Sequence, residues 1–409
     1  MRRLAPLLVL LTASACGSDD DSDGAFPASK AQQAITDYKR VVQLNYQDVL
    51  AGTRALDLAV RNFVDAPFEQ PFAAAKAAWL AARVPYGPSE AFRFYGGPID
   101  DDESGPEGLI NGWPLDENYI DYTRDMKAGG IINDVANYPT LTAELIERAN
   151  EARGEKALST GYHAIEFLLW GQDDATPGTG AGKRAFTDYA WNDPTAPNAP
   201  RRREYLSIVS TLLVQHVESV AAQWDTSKPD SYGARFGVTA DDEKSDARKE
   251  ALSKILTSLG EMAKVELSGE RMTVAYKNRS EEDEHSCFSD NTAVDLLGNG
   301  LGLQNVWLGR YGTFDGVGID EVVAAVDPAL ATKTTADLQA AVGKLQALAD
   351  FQKSGTPIDV IVLQKPDESP ERTTMREAIE ALKVFAGDIE RAAAALGLSV
   401  KLEDPSEEL

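Results

Sequence analysis

Apolar residues recur every three to four positions along almost the whole chain, and that period fits only helices packed on one another. From Ser29, which forms a capping-box pair with Gln32, the residues Ile35, Tyr38, Val41, Val42, Tyr46, Val49, Leu50 and Leu56 follow at helical spacing. Further helical stretches fall at about 68–86, 116–128, 139–152, 155–170, 200–226, 242–278, 291–308, 319–326, 334–353 and 370–396. In the last, Ser369 caps, Pro370 occupies the first turn, Ile379, Leu382, Phe385, Ile389 and Leu396 make the buried stripe, and Gly397 closes the end. Strand signals are confined to the β-branched run Ile358–Leu363, too isolated to build a sheet. The expected fold is all-α.

A Gly/Pro/Asn-rich stretch from Thr176 to Pro200 divides the helices into two bundle-like lobes, 30–195 and 200–400. Arg83, Tyr86, Glu90 and Phe92 are faintly echoed by Arg271, Tyr276, Glu284 and Phe288, at inexact spacing, which raises an internal duplication.

The first fifteen residues read as an export signal: Arg2 and Arg3, an apolar stretch to Leu11, then small residues before Cys16. The layout resembles a bacterial lipoprotein signal, in which the cysteine carries the lipid, although Ala13 stands where Leu is commonest and cleavage after Ala15 without lipid remains an alternative. Residues 16–29, rich in Asp, Ser and Gly, then form a flexible tether. The expected location is the cell envelope, on the outer membrane or its periplasmic face. Cys287 has no partner cysteine once Cys16 is processed, so it is expected to be a buried apolar residue and packing must supply stability. With 65 acidic against 40 basic residues the net charge is -25, which excludes a nucleic-acid partner and favours cations.

The chain has three histidines: His163, His216 and His285. A three-residue step puts His163 and Glu166 on one helix face, where an imidazole and a carboxylate can hold one cation together. A helix-surface ion pair or a satisfied core histidine is the commoner outcome for such a pair. Glu281–His285 reads as a solvated charge run, Arg201–Arg203 as surface charge balance, His216 as a packed side chain, and Trp79, Trp113, Trp170 and Trp307 as core anchors. No phosphate-cradling loop, dinucleotide fingerprint or nucleophile elbow occurs.

Several separated strings give these residues a context. Gly161-Tyr162-His163-Ala164-Ile165-Glu166 matches a Gly-x-His-x-x-Glu motif, and Trp79–Gly87, Glu90–Tyr95, Gly97–Asp100, Gly108–Asn111, Trp113–Asp116, Ser268–Met272 and Glu284–Asn291 accompany it in order. Together they resemble the imelysin family across nearly the whole mature chain. The resemblance implies a two-lobed helical fold, an envelope location and a role tied to iron. It implies a metal site of His163 and Glu166 with acids from an earlier helix, matched here by Glu90 and Asp100. Such a hard, oxygen-rich set would suit Fe(II), Fe(III), Mn(II) or Zn(II) without choosing among them; the resemblance makes iron the expected metal, with zinc or another divalent metal as alternatives. A cleft between lobes would be lined by Glu284 and Asp290, with Arg83 and Arg271 either clamping a carboxylate of an iron chelate or forming inter-lobe salt bridges. Expected partners are the metal ion or chelate, a membrane through the lipid, and other iron-uptake components. Members have been classed as metallopeptidases. The lack of a second histidine on the motif helix ranks hydrolysis below binding.

Overall fold

The computed structural model describes residues 26–173, 180–238 and 246–405; the expected export signal, Cys16 and most of the expected tether lie outside them. The fold is all-α. Its principal helices are α1 (Ala28–Asp65), α2 (Glu69–Ser89), α3 (Gly161–Trp170), α4 (Ala199–Gln223), α5 (Ala247–Glu261), α6 (Thr292–Leu308), α7 (Pro328–Lys353) and α8 (Pro370–Ala395). Helix α1 packs on α2, α4 and α5; α6 packs on α2 and α7; α8 packs on α7 and on the segment after α5. One continuous apolar core runs through all of them.

Local sequence accounts for where the helices start and stop. The Ser29/Gln32 pair does not cap α1, which begins at Ala28 after Pro27 without a side-chain cap. Helix α7 starts six residues earlier than its periodicity suggests, because Asp327 accepts from the Leu330 amide and Pro328 occupies the first turn. Ser369 caps α8 as expected, and Gly397 beyond its end has φ +67°. The β-branched run Ile358–Leu363 is helical. The one pair of strands among the described residues is the small hairpin of Arg310–Tyr311 with Phe314–Asp315.

Two departures from regular α-helix position the interior polar groups. Helix α2 runs through Pro85 and Pro88, and the carbonyls around them are bonded by side chains: Asn45 donates to Pro85 and Asn299 to Gly87. After α5 the chain winds as a π-helix, Met262–Thr273, where periodicity alone suggests continuous α-helix. A five-residue turn puts Arg271 over Glu266, with Nε 2.9 Å from its carboxylate, and Thr273 over Ser268, whose carbonyl accepts its hydroxyl at 2.6 Å.

Helices α2 and α6 meet on glycines. A Cβ built on Gly302 would lie 2.4 Å from the Pro88 carbonyl oxygen, and one on Gly298 would lie 3.2 Å from Gly87 Cα. Gly298 and Gly302 share an α6 face with Asp295 and Asn299, so the close approach brings those two polar residues against α2. The run Arg201–Arg203, expected on the surface, is instead structural. Arg202 is fully buried and grips Asp121 with Nε and Nη2 at 2.6 and 2.8 Å, while Arg184 bonds the same carboxylate. Arg201 and Arg203 bond backbone carbonyls of 131–138 and 189–190. Together they pin the long connection before α4 to the body.

Candidate functional site

Helix α3 is buried along its whole length. Its first residue, Gly161, has φ +86°, and a Cβ there would stand 2.6 Å from the Ile110 carbonyl oxygen, so only glycine lets the helix start beside the 107–111 segment. One turn on, His163 Nδ1 lies 2.8 Å from Glu166 Oε2. The other carboxyl oxygen of Glu166 accepts from the backbone amide and hydroxyl of Ser289, at 2.9 and 2.6 Å. Glu166 therefore orients the imidazole from behind, and Nε2 of His163, buried, has no partner.

A second histidine completes the arrangement. The ring of His285 stands edge-on to His163 with centroids 4.7 Å apart at 77°, and the half-buried Trp113 covers both, 4.9 Å from His163 and 6.2 Å from His285. Trp113 is thus a wall of the site rather than a core anchor; Trp79, Trp170 and Trp307 are buried as expected. Arg83 donates to Asn111 Oδ1 at 2.5 Å, which turns the Asn111 amide nitrogen toward Glu90 and toward His285 Nε2, each at 3.4 Å. His285 Nε2 is then an acceptor, and Nδ1 carries a proton that finds no partner.

Electrostatics set the protonation states. Burial, with Arg83 and Arg271 nearby, holds His163 well below the usual imidazole range; burial and Arg271 do the same to His285. Burial pushes Glu166 up to about 8, against the Ser289 bonds and Arg83. The His163–Glu166 contact is therefore a neutral hydrogen bond at pH 7. Burial would also raise Glu90, but Arg271, Arg93 and Arg83 outweigh it and hold that carboxylate at about 2.

The two arginines form ion pairs. Arg83 meets Asp295 at 3.1 Å, and Arg271 binds Glu90, Glu266 and Asn299. These bridges join α2, α6 and the π-helix around the histidines. Asp100 accepts the amides of Phe94, Tyr95 and Gly97 and so closes a turn. Glu284 is buried near Asp290 and Asp359, with one oxygen unpartnered; burial first, then Asp359 and Asp290, pushes it well above the carboxylate range, and burial with Asp359 and Glu281 pushes Asp290 up to about 7. The four residues His163, Glu166, Glu90 and Asp100 are not gathered around one point, and among the described residues no three His, Cys, Asp or Glu side chains are spaced to hold a metal ion. What the fold does bring together is His163, His285 and Trp113, in ring contact, with Asn111 beside His285; His285, Asn111, Trp113 and Arg271 border a cavity of about 450 Å³, whereas His163, Glu166, Glu90, Asp100, Arg83, Glu284 and Asp290 do not.

The match to known proteins follows the same strings. The imelysin family model aligns with residues 42–386. The chain belongs to the imelysin family. Iron-regulated protein A of Synechococcus elongatus is 26% identical over 304 residues, covering 73% of this imelysin and 68% of that protein. The crystal structure of a candidate iron-regulated protein A precursor from Parabacteroides distasonis superposes with a TM-score of 0.67 at 18% identity, over 92% of this chain and 98% of that one. An imelysin-like protein from Psychrobacter arcticum gives 0.60 at 16% identity, over 93% and 100%. These two structures share the all-α imelysin fold.

Proposed function

We propose that this imelysin binds metal ions at His163 and His285, beside the cleft that His285 borders, as a lipid-anchored component of the bacterial envelope, with iron as the principal cargo. The observation that carries the reading is the pair of buried, neutral imidazoles in ring contact, each with a ring nitrogen that has no protein partner. A buried polar atom left without a hydrogen bond costs about 1–3 kcal/mol, and two at one place suit a ligand that both can meet. Glu166 holds Nδ1 of His163, and once that carboxyl group gives up its proton the pair becomes the usual support of a metal-binding imidazole, with Nε2 left to the ion. To ligate, each ring takes its other tautomer, His163 with the proton on Nδ1 and His285 with the proton on Nε2 and the Asn111 amide displaced, and two such nitrogens leave the remaining coordination positions to water or to groups that arrive with the ion. That suits exchangeable cargo better than a fixed structural ion. Iron is favoured by the names of the relatives, and zinc or manganese would also accept such donors.

Hydrolysis gains less support. A base at Glu166 would need a free carboxylate oxygen facing the cleft, and both of its oxygens are bonded within the protein.

Isothermal titration of the whole protein with Fe(II), Fe(III) and Zn(II), repeated on His163→Ala, tests the reading. Binding is expected in the wild type and a loss of at least about tenfold in the variant, about 1.4 kcal/mol. Equal binding by both proteins would remove the site.

A further inference from the structure

Free metal ions are cations, whereas ferric complexes with citrate and similar polycarboxylates are anions, so the charge of the cleft separates the two kinds of cargo. We infer that the cleft admits its ligand as a hydrated metal cation and turns away anionic chelates, an inference that rests on the metal-binding reading above. Seven carboxylates border the cavity against two guanidiniums, Arg93 and Arg271. Arg271 is not available to clamp an incoming carboxylate. Arg271 spends all three nitrogens, Nε and Nη2 on Glu266, Nη2 also on Glu90, and Nη1 on Asn299. Arg93 sets Nη1 against Glu107 at 3.2 Å and Glu90 at 3.5 Å, and its unpartnered Nε is buried, so the carboxylates outnumber the one guanidinium with a nitrogen to spare.

The outer carboxylates come from separate segments: Glu155 from the loop after the short helix Ala143–Ala149, Glu270 from the π-helix, and Glu282 with Asp283 from the turn before His285. Glu155 and Glu282 are exposed, so they form a rim, while Asn111 and His285 are the buried polar groups of the lining, 2% and 4% exposed, the latter with Nδ1 unpartnered. A ring of like charge over a low-dielectric floor concentrates counter-ions and raises their arrival rate by about 10- to 1000-fold. The same field raises the barrier for a polycarboxylate complex.

The test is stopped-flow mixing of the full chain with Mn(II), alongside equilibrium dialysis against ferric citrate. Wild type should bind Mn(II) with an association rate that falls about tenfold between roughly 20 mM and 0.5 M salt, and should not retain ferric citrate. The rim variant Glu155→Lys/Glu282→Lys should associate about tenfold more slowly with a dissociation rate unchanged within about twofold. Retention of ferric citrate by wild type, or an association rate unmoved in the rim variant, overturns the inference while leaving the histidine site standing. His163→Ala separates the two ideas: Mn(II) binding undiminished there overturns the site itself, whatever the rim does. Both rim positions are exposed, and thermal melting of the variant alongside wild type confirms that it folds.

Discussion

At the residue scale the informative group is Glu166, which keeps its proton to about pH 8 because it is buried and only partly compensated by Ser289. The unfolded chain loses that proton near the ordinary glutamate value, so between about pH 4.5 and 8 the folded state holds one proton more, and this group's contribution to stability falls as pH rises through that window. Since Ser289 donates twice to Oε1, the retained proton sits on Oε2 and is given to His163 Nδ1, which leaves Nε2 protonated. A cation can take Nε2 only if the imidazole proton moves to Nδ1 and the Glu166 proton leaves. Metal binding should therefore release about one proton below pH 8, with affinity rising about tenfold per pH unit up to that point and then levelling; titration in buffers of different ionisation enthalpy measures the release. Glu166→Gln mimics the protonated acid permanently. It should melt like wild type at pH 5, higher than wild type at pH 9, and lose metal binding at both. A variant that still binds metal at wild-type strength would contradict the assigned hydrogen-bond direction.

At the scale of elements, the close crossing of α2 and α6 sets the site, because it seats Arg83 on Asp295 and Asn299 beside Arg271. Gly302→Ala forces a methyl group against the Pro88 carbonyl and should destabilise by about 1–3 kcal/mol, read by urea denaturation, with weaker metal binding as the bridges shift. Asp121→Asn leaves Arg184 and Arg202 buried against a neutral partner and should cost about 3–5 kcal/mol, while titration of the remaining folded protein with metal changes little. Much of this level can be read from the chain itself. The stripes of α1, α6 and α8 mark those helices, and the His163/Glu166 pair is visible because both residues sit on one helix. His285 is less visible: it lies 122 residues away in a charge-rich turn without periodicity, and only the matching string around it points to a role. The π-helix hides inside an apolar pattern that α-helix satisfies nearly as well, and the burial of Arg202 depends on Asp121, 81 residues earlier.

At the scale of the whole molecule, a net charge of -25 and an acidic cleft both favour the approach of cations over anions. Among the described residues one helix, Ala199–Gln223, is long and apolar enough to cross a membrane, and half of it is buried inside the fold, which fits a packed helix. Membrane attachment would then depend on Cys16. Cys16→Ser should move the protein from the membrane fraction to the soluble envelope fraction and abolish incorporation of labelled fatty acid; an unchanged distribution would favour attachment by other means. The central claim concerns one place, the two facing imidazoles under Trp113. Diffraction from crystals soaked in an iron salt, recorded on either side of the iron absorption edge, tests it most directly. The account predicts an anomalous peak beside His163 Nε2 and the ring of His285, whereas bound iron appearing elsewhere with His163 untouched would contradict it.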